Sequence, residues 1–218
     1  MKHLTSPLRG ASETQVKVPT RRALAKQQTR AKVLAAARRL FSEQGYEGAT
    51  IRDIAAAAGM STGAVFASFA DKSDLFREIM FCDIEALREV MREAADRAQT
   101  VDAALLAIFT TGYAFYKSQL PLARAAFSVS WSTGEERERI DASPAVDALR
   151  RLITEQLSQG VVRGELDRDG QLDLRSEMLF DSYLSNYRQA IYLDWRLEEL
   201  QIRSRDQIDV ILAGARKR

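Results

Sequence analysis

Apolar residues recur at intervals of three and four along most of this chain and nowhere alternate one by one over the length of a strand, which predicts an all-α fold. The first stripe is Val33, Leu34, Ala37, Leu40 and Phe41; its helix should begin near Pro19 or Thr20 and stop at Gly45. Thr50, with Asp53 three residues on, resembles a capping box that places a carboxylate in the first turn, where backbone N–H groups are unpaired. A short helix over 51–58 follows from it. Gly59 permits the left-handed conformation that ends this helix, and Ser61 can cap the next, from about Thr62 to Phe69, with Val65 and Phe69 facing inward. Asp71 and Ser73 are candidate caps for a longer helix that begins near Asp74 and carries Leu75, Ile79, Leu87 and Val90.

The helical spacing continues to the end of the chain. Leu105, Ile108, Phe109, Gly112, Tyr113 and Tyr116 make one buried face that should end before Pro121, and an apolar run from Leu122 to Trp131 follows. Ser143 and Pro144 read as a cap with proline at the first helical position, opening a stripe of Val146, Leu149, Ile153 and Leu157 that ends at Gly160. The segment 161–170 reads as a charged loop. A long helix from about Asp173 to Trp195 carries Phe180, Tyr183, Leu184, Tyr187 and Ile191 on one side and Ser182, Ser185 and Gln189 on the other. Ile208, Ile211 and Leu212 mark a last helix.

With 218 residues, 46% of them hydrophobic and 28% charged, the chain has the composition of an ordinary globular protein that folds by burial. One cysteine, Cys82, and one histidine, His3, rule out an internal disulfide, a Cys/His zinc site and any triad built on a histidine base. Cys82 reads as a buried structural thiol, with a redox sensor as the alternative. The charge-free runs Ile54–Ala70 and Ala103–Tyr116 are shorter than the ~20 apolar residues of a spanning helix. The segment MKHLTSPLRGASETQ lacks the apolar core of an export signal, so the expectation is a cytoplasmic protein with no membrane partner. Glu165, Asp167, Asp169 and Gly170 echo the start of a calcium loop, but Ser176 stands at its twelfth position, where a bidentate glutamate is required. No metal or cofactor is expected, and no phosphate loop or nucleotide fingerprint occurs.

Charge is distributed unevenly. Residues 1–78 hold 13 Lys/Arg against 7 Asp/Glu, a balance of +6, whereas the remainder holds 19 against 23, a balance of −4. A basic first third on an acidic remainder suits a chain that meets a polyanion at one end. The two short helices at 50–69, joined by a glycine turn, form a helix-turn-helix whose second helix can enter a major groove. Ser61, Thr62, Gly63 and Ala64 stand at its N-terminus, where a phosphate is favoured. These residues alone leave open a structural helical hairpin with no ligand.

From about Arg30 to Leu75 the chain resembles the DNA-binding domain of the tetracycline-repressor (TetR) family of bacterial regulators. An apolar helix ends in Phe41, and then come Gly45-Tyr46, Thr50, Ile54-Ala55, Ala58-Gly59, Ser61, Gly63, Phe66, Phe69 and Lys72. The resemblance implies a flexible basic arm at 1–18, a three-helix DNA-binding domain at 19–72, and a helical effector-binding and dimerisation domain at 73–218. It also implies a homodimer joined by its C-terminal helices, a double-stranded DNA operator, and a small effector whose binding releases that operator. Thr50 would touch backbone phosphate, and Arg52 a phosphate or a guanine edge. Ser61, Thr62, Gly63 and Ala64 would approach the DNA at the start of the recognition helix, and Lys72 would neutralise a phosphate. Phe66 stands where the family usually has tyrosine, while Ala67 and Ser68 replace a common aromatic and histidine. The basic series Lys17, Arg21, Arg22, Lys26, Arg30 and Lys32 can follow the DNA backbone or a minor groove, or be a solvated tail.

Phe109, Tyr113, Tyr116, Phe127 and Trp131 are candidates to line an apolar effector pocket, although aromatic stripes also build plain cores. The reading is therefore a binding protein rather than an enzyme: a transcriptional repressor released by an apolar effector. Two rivals stand beside it. One is an architectural or division-control DNA-binding protein of the same fold without an effector, and the other is a helical enzyme using clustered carboxylates.

Overall fold

The computed structural model describes residues 20–132 and 144–217, with the side chains of 127–132 outside the described set. Nine α-helices follow one another among the described residues: α1 (Arg21–Gly48), α2 (Ile51–Ala57), α3 (Thr62–Phe66), α4 (Lys72–Asp96), α5 (Val101–Lys117), α6 (Leu120–Ser132), α7 (Pro144–Val162), α8 (Leu172–Tyr192) and α9 (Leu197–Leu212). A short 3₁₀ turn, Ala213–Ala215, ends the series.

The starts of the first four helices follow from local chemistry. Thr20, Thr50, Ser61 and Asp71 each sit in extended backbone and accept a bond from the N–H three residues on. Gly45, at φ +75°, breaks α1 near its end, and Gly59, at φ +69°, turns the chain between α2 and α3. Several boundaries differ from expectation. α3 stops at Phe66 instead of running to Phe69. α6 starts at Leu120, with Pro121 inside its first turn, where a missing N–H costs nothing. α7 runs past Gly160 to Val162, and Gly160 is buried within it where Val101 and Leu166 approach so closely that a Cβ would press on both. α8 ends at Tyr192.

Two apolar cores hold these helices. The first, at the head of the molecule, joins Val33, Ala37, Leu40 and Phe41 of α1 to Ile54, Val65 and Phe69, and to Leu75, Phe76 and Ile79 of α4. Phe41, Tyr46 and Phe76 meet ring to ring with centroids 5.0 to 5.6 Å apart. The second core, in the body, gathers Ile84, Leu87 and Met91 of α4 with the inner faces of α5, α7, α8 and α9. α4 therefore serves both cores. Val90, expected on its buried stripe, is 52% exposed, and Met91 takes that place.

α6 also crosses the expected division. Leu122, Ala125 and Ala126 belong to the head core, although α6 follows α5 of the body in the chain. Beside them Arg38 of α1 forms a bidentate pair with Asp83 of α4, Nη1 donating to Oδ2 at 2.9 Å and Nη2 donating to Oδ1. Nη1 also donates to the Gln119 side chain at 3.2 Å, just before α6. One guanidinium thus ties α1, α4 and the α5–α6 corner together.

Candidate nucleic-acid interface

The helix-turn-helix is anchored by what it turns inward. Ile54, Ala55, Val65 and Phe69 are buried in the head core, which fixes the opposite face of α3 outward. On that outward face Thr62, Gly63, Phe66 and Ala67 are exposed, while Ala64 and Ser68 at its flanks are half-buried. Phe66 is 55% exposed, a large apolar ring in solvent among small neighbours. Arg52 on α2 is exposed and makes no hydrogen bond or ion pair among the described residues. Ser61 is exposed, and its hydroxyl oxygen accepts from the Ala64 N–H at 3.3 Å.

Three of the expected contact residues are already engaged within the fold. The Thr50 hydroxyl accepts from the Asp53 N–H and donates to the Asp53 carboxylate at 2.6 Å, so the carboxylate meets a side chain where a reciprocal bond to backbone was expected. Lys72 lies over the Tyr46 ring, 4.3 Å from its centroid, and donates to the Tyr46 carbonyl at 3.0 Å. Arg30, expected in the basic series along the DNA, donates to the Ser68 carbonyl at 2.7 Å. It also stacks 4.2 Å above the Phe69 ring and pairs with Glu78 at 3.1 Å. Arg30 therefore clamps the end of the recognition helix to α1 and α4. No periodicity marks such a residue, because its partners lie 38 and more positions away.

Arg21 and Arg22 occupy the first turn of α1 and are exposed on a helix, a different setting from a flexible arm. Lys26 and Lys32 are exposed on the same helix. Lys17 and the arm assigned to 1–18 lie outside the described residues.

Of the aromatic candidates in the body, Phe109 and Tyr113 are completely buried and close-packed. Phe109 meets Tyr183 at 5.1 Å, and Tyr113 stacks on Tyr183 at 5.2 Å. Tyr116 is half-buried and edges onto Tyr187 at 4.5 Å. Phe127 and Trp131 fall outside the described side chains. The hydroxyls form a polar knot: Asn186 Nδ2 donates to Tyr113 at 3.1 Å and to Gln207 Oε1 at 2.7 Å, and Tyr183 and Tyr187 share a bond at 2.6 Å. Burial pushes the Tyr113 hydroxyl up to about 12, against its bonds to Ser204 and Asn186, and also raises Tyr183 and Tyr187 well above the ordinary phenol value. These phenols stay neutral near pH 7. Asn186 and Ser204 carried no sequence signal.

Two open depressions lie elsewhere on the body. One of about 360 Å³ is lined by Arg188, Gln189, Tyr192 and Leu193. The other, of about 380 Å³, lies between α7 and α8 beside Arg150, Asp173, Glu177 and Asp181. Neither includes the aromatic candidates.

Cys82 is exposed, which overturns the expectation of a buried thiol. Partial desolvation of the sulfur, followed by the Glu78 and Asp83 carboxylates, pushes its pKa above the usual value, unlike a thiolate poised for redox sensing. A thiol reagent should alkylate the folded protein more slowly at neutral pH than it alkylates free cysteine, with the rate climbing as pH rises. Mass spectrometry of timed aliquots checks this; a faster reaction than free cysteine would mean an activated thiolate. Among the described residues no group of His, Cys, Asp and Glu is placed to hold a metal, and no helix is long and apolar enough to cross a membrane.

Residues 33–79 match the family of bacterial regulatory proteins called the tetR family. The HTH-type transcriptional repressor AcnR of Corynebacterium glutamicum is 45% identical over 65 residues, which are 30% of this chain and 35% of that protein. The chain thus matches about a third of the length of this curated relative. The fold likeness is far more extensive. The transcriptional regulator FadR from Bacillus subtilis, solved in complex with stearoyl-CoA, superposes with a TM-score of 0.69 over 84% of this chain and 98% of its own at 19% identity. SmeT, the repressor of the Stenotrophomonas maltophilia multidrug efflux pump SmeDEF, gives 0.65 over 88% and 92% at 22% identity. Residues 33–79 thus carry the helix-turn-helix segment of the tetR family, and the chain as a whole shares the all-helical fold of these regulators.

Proposed function

We propose that this chain is a DNA-binding transcriptional repressor, a homodimer that leaves its operator when a small apolar effector occupies the body. The outward face of the helix-turn-helix carries the proposal: exposed Thr62, Gly63, Phe66 and Ala67, with an unpaired Arg52 beside them, in a segment of net charge +6. In this reading residues 1–18 are an arm, 19–72 the DNA-binding domain, and 73–218 the effector and dimer domain. Arg21, Arg22 and Lys72 add phosphate contacts, and Thr50, Ser61, Ala64 and Ser68 border the DNA.

α8 supports the dimer. Leu174, Met178, Ser185 and Tyr192 share its exposed face, and Ile202 and Val210 are exposed on α9. Asp181 and Arg188 are exposed on the same side, so this is a mixed apolar and charged face, and the small Ser185 at its middle lets a second helix approach closely. Two copies joined there would set their recognition helices about 34 Å apart, one turn of DNA. Met178 and Tyr192 are 46% and 58% exposed, so the double variant Met178→Asp, Tyr192→Asp should stay folded and sediment as a monomer at a concentration where the wild type is a dimer. An unshifted sedimentation profile would place the interface elsewhere.

The effector acts by its differential affinity for two arrangements of the dimer. α4, which supplies residues to both cores, and α6, which covers the head core and touches α5 and α8 of the body, are the connection through which that difference reaches the DNA. FadR, of the same fold, is in complex with stearoyl-CoA, whose long acyl chain accords with a ligand that is at least partly apolar here. The packing of Phe109 and Tyr113 favours a second reading, a DNA-binding protein of this fold with no effector. A compound screen reading operator release and tryptophan fluorescence separates the two: release by an apolar compound supports the first, and no release by any class supports the second.

The DNA reading is tested by binding competition. Arg52→Ala should weaken operator binding by about 1 to 3 kcal/mol. The loss should fall at one base position if the guanidinium meets a guanine, and on all sequences alike if it meets a phosphate. Unchanged affinity for every operator variant would place Arg52 off the DNA.

A further inference from the structure

We infer that the recognition helix reads its operator through methyl groups on the major-groove edge of pyrimidines, those of thymine, with Phe66 as the principal reader. The inference rests on the operator binding proposed above and gives it a chemistry.

Two-point reading of a purine edge requires arginine or lysine on guanine, or asparagine or glutamine on adenine. From Ile54 to Ala70 the chain contains none of these four residue types. The outward face of α3 is Thr62, Gly63, Phe66 and Ala67, and its flanks are Ala64 and Ser68. These residues supply hydroxyls, each a single polar atom without the two-atom fork that bidentate reading needs, and apolar carbon. The cations nearest to the helix do not change this. Arg30 is held by the Ser68 carbonyl, the Phe69 ring and Glu78, and Lys72 by the Tyr46 carbonyl and ring. Arg52 is the one long polar side chain of the helix-turn-helix free to read a base, and it lies on the other helix.

Phe66 is what the helix offers instead. Val65 and Phe69 fill the head core, so the Phe66 ring cannot turn inward and stands in solvent, with the small residues Thr62, Gly63 and Ala67 beside it on its own face. It carries no hydroxyl and cannot bond a phosphate. The major-groove edges of the four bases present donors, acceptors and one apolar group, the C5 methyl of thymine. A ring that enters this groove and can make only apolar contacts therefore distinguishes sequences by where those methyls lie. The Thr62 methyl and Ala67 border the same face and extend the apolar surface. 5-Methylcytosine offers the same group, so the experiment must separate the two sources.

The test uses the full chain and a half-site defined by selecting bound duplexes from a random pool of unmodified DNA. Each thymine of that half-site is then replaced by deoxyuridine, which removes the methyl and leaves every hydrogen-bonding edge intact. At one or more positions under α3 the wild type should lose about fourfold in affinity per methyl removed. Phe66→Ala, at an exposed position whose loss spares the core, should bind the thymine and uracil duplexes equally, and Phe66→Leu should keep part of the preference. Methylating each cytosine of the half-site should leave affinity unchanged; a gain that equals the thymine effect would overturn thymine as the source. Tight, selective binding that ignores uracil at every position overturns the methyl reading. So does a uracil penalty that survives in Phe66→Ala, which would seat the ring against deoxyribose. A wild type that selects no sequence and binds no duplex at low salt fails differently, because it overturns operator binding itself.

Discussion

Gly112→Ala should destabilise the protein by roughly 3 kcal/mol, although alanine is the better helix former by about 1 kcal/mol in a helix interior. A Cβ at this position of α5 would lie 2.0 Å from the Tyr183 hydroxyl oxygen and 2.4 Å from Met91 Cε. Both neighbours are in the body core, so relief has to come from movement within a packed interior. Met91 can change rotamer. Tyr183 has little freedom, because its ring meets Phe109, Tyr113 and Tyr187 at 5.1, 5.2 and 4.8 Å and its hydroxyl shares a 2.6 Å bond with Tyr187. Displacing it would break the polar knot and leave a buried hydroxyl unsatisfied, which adds to the cost of overpacking. Urea unfolding should show a lower midpoint with an unchanged slope. In a Tyr183→Phe background the nearest obstacle is gone, so the same substitution should cost less than in the wild type. A raised midpoint would mean that helix propensity wins and that the tyrosine cluster is soft.

The same cluster shows where the amino-acid sequence is legible and where it is not. Phe109, Tyr113, Tyr183 and Tyr187 were identifiable as one-sided stripes on two helices, and all four are buried. A stripe says that a face is covered but not what covers it, so a core and a ligand pocket look alike at that level. Here Phe109 and Tyr113 are covered by tyrosines of α8. Asn186, which bonds Tyr113 across 73 positions of chain, has no periodic signature, and neither does Arg30 over Phe69. Val90 and Met91 lie three and four residues beyond Leu87, so helical spacing admits either, and only the neighbouring helices decide for Met91. Caps and glycine turns depend on residues a few positions apart, which is why Thr50, Gly59 and Ser61 could be placed from the chain alone; for α4 the chain offered Asp71 and Ser73 alike, and the structure caps it with Asp71 and starts it at Lys72, two residues before the expected Asp74. The exposed face of α3 was legible for a related reason: once Val65 and Phe69 were assigned inward, the residues between and before them had to point out.

The attachment of α6 was not legible in this way, and its consequence is the second large effect. Leu122→Ala should cost about 3 kcal/mol, the usual range for emptying a buried leucine site. That cost should fall on the head, although the residue follows α5 in the chain. Leu122 is 5% exposed and belongs to the head core, where α6 lies against α1, next to the corner where Gln119 accepts from Arg38. With the leucine truncated, α1 keeps its contacts to α2 and α4 but loses part of its cover from α6. Hydrogen exchange should then quicken at the amides of Val33, Ala37 and Phe41 more than at those of Leu179, Tyr183 and Ile208, which lie in the body. Operator affinity should fall with the head's protection, because the recognition helix is mounted on the same core through Val65 and Phe69. If exchange quickens equally in head and body, the two cores unfold as one unit and α6 is no separable link. If it quickens in the head alone while DNA binding is unchanged, α6 stabilises α1 without setting how the recognition helix is presented.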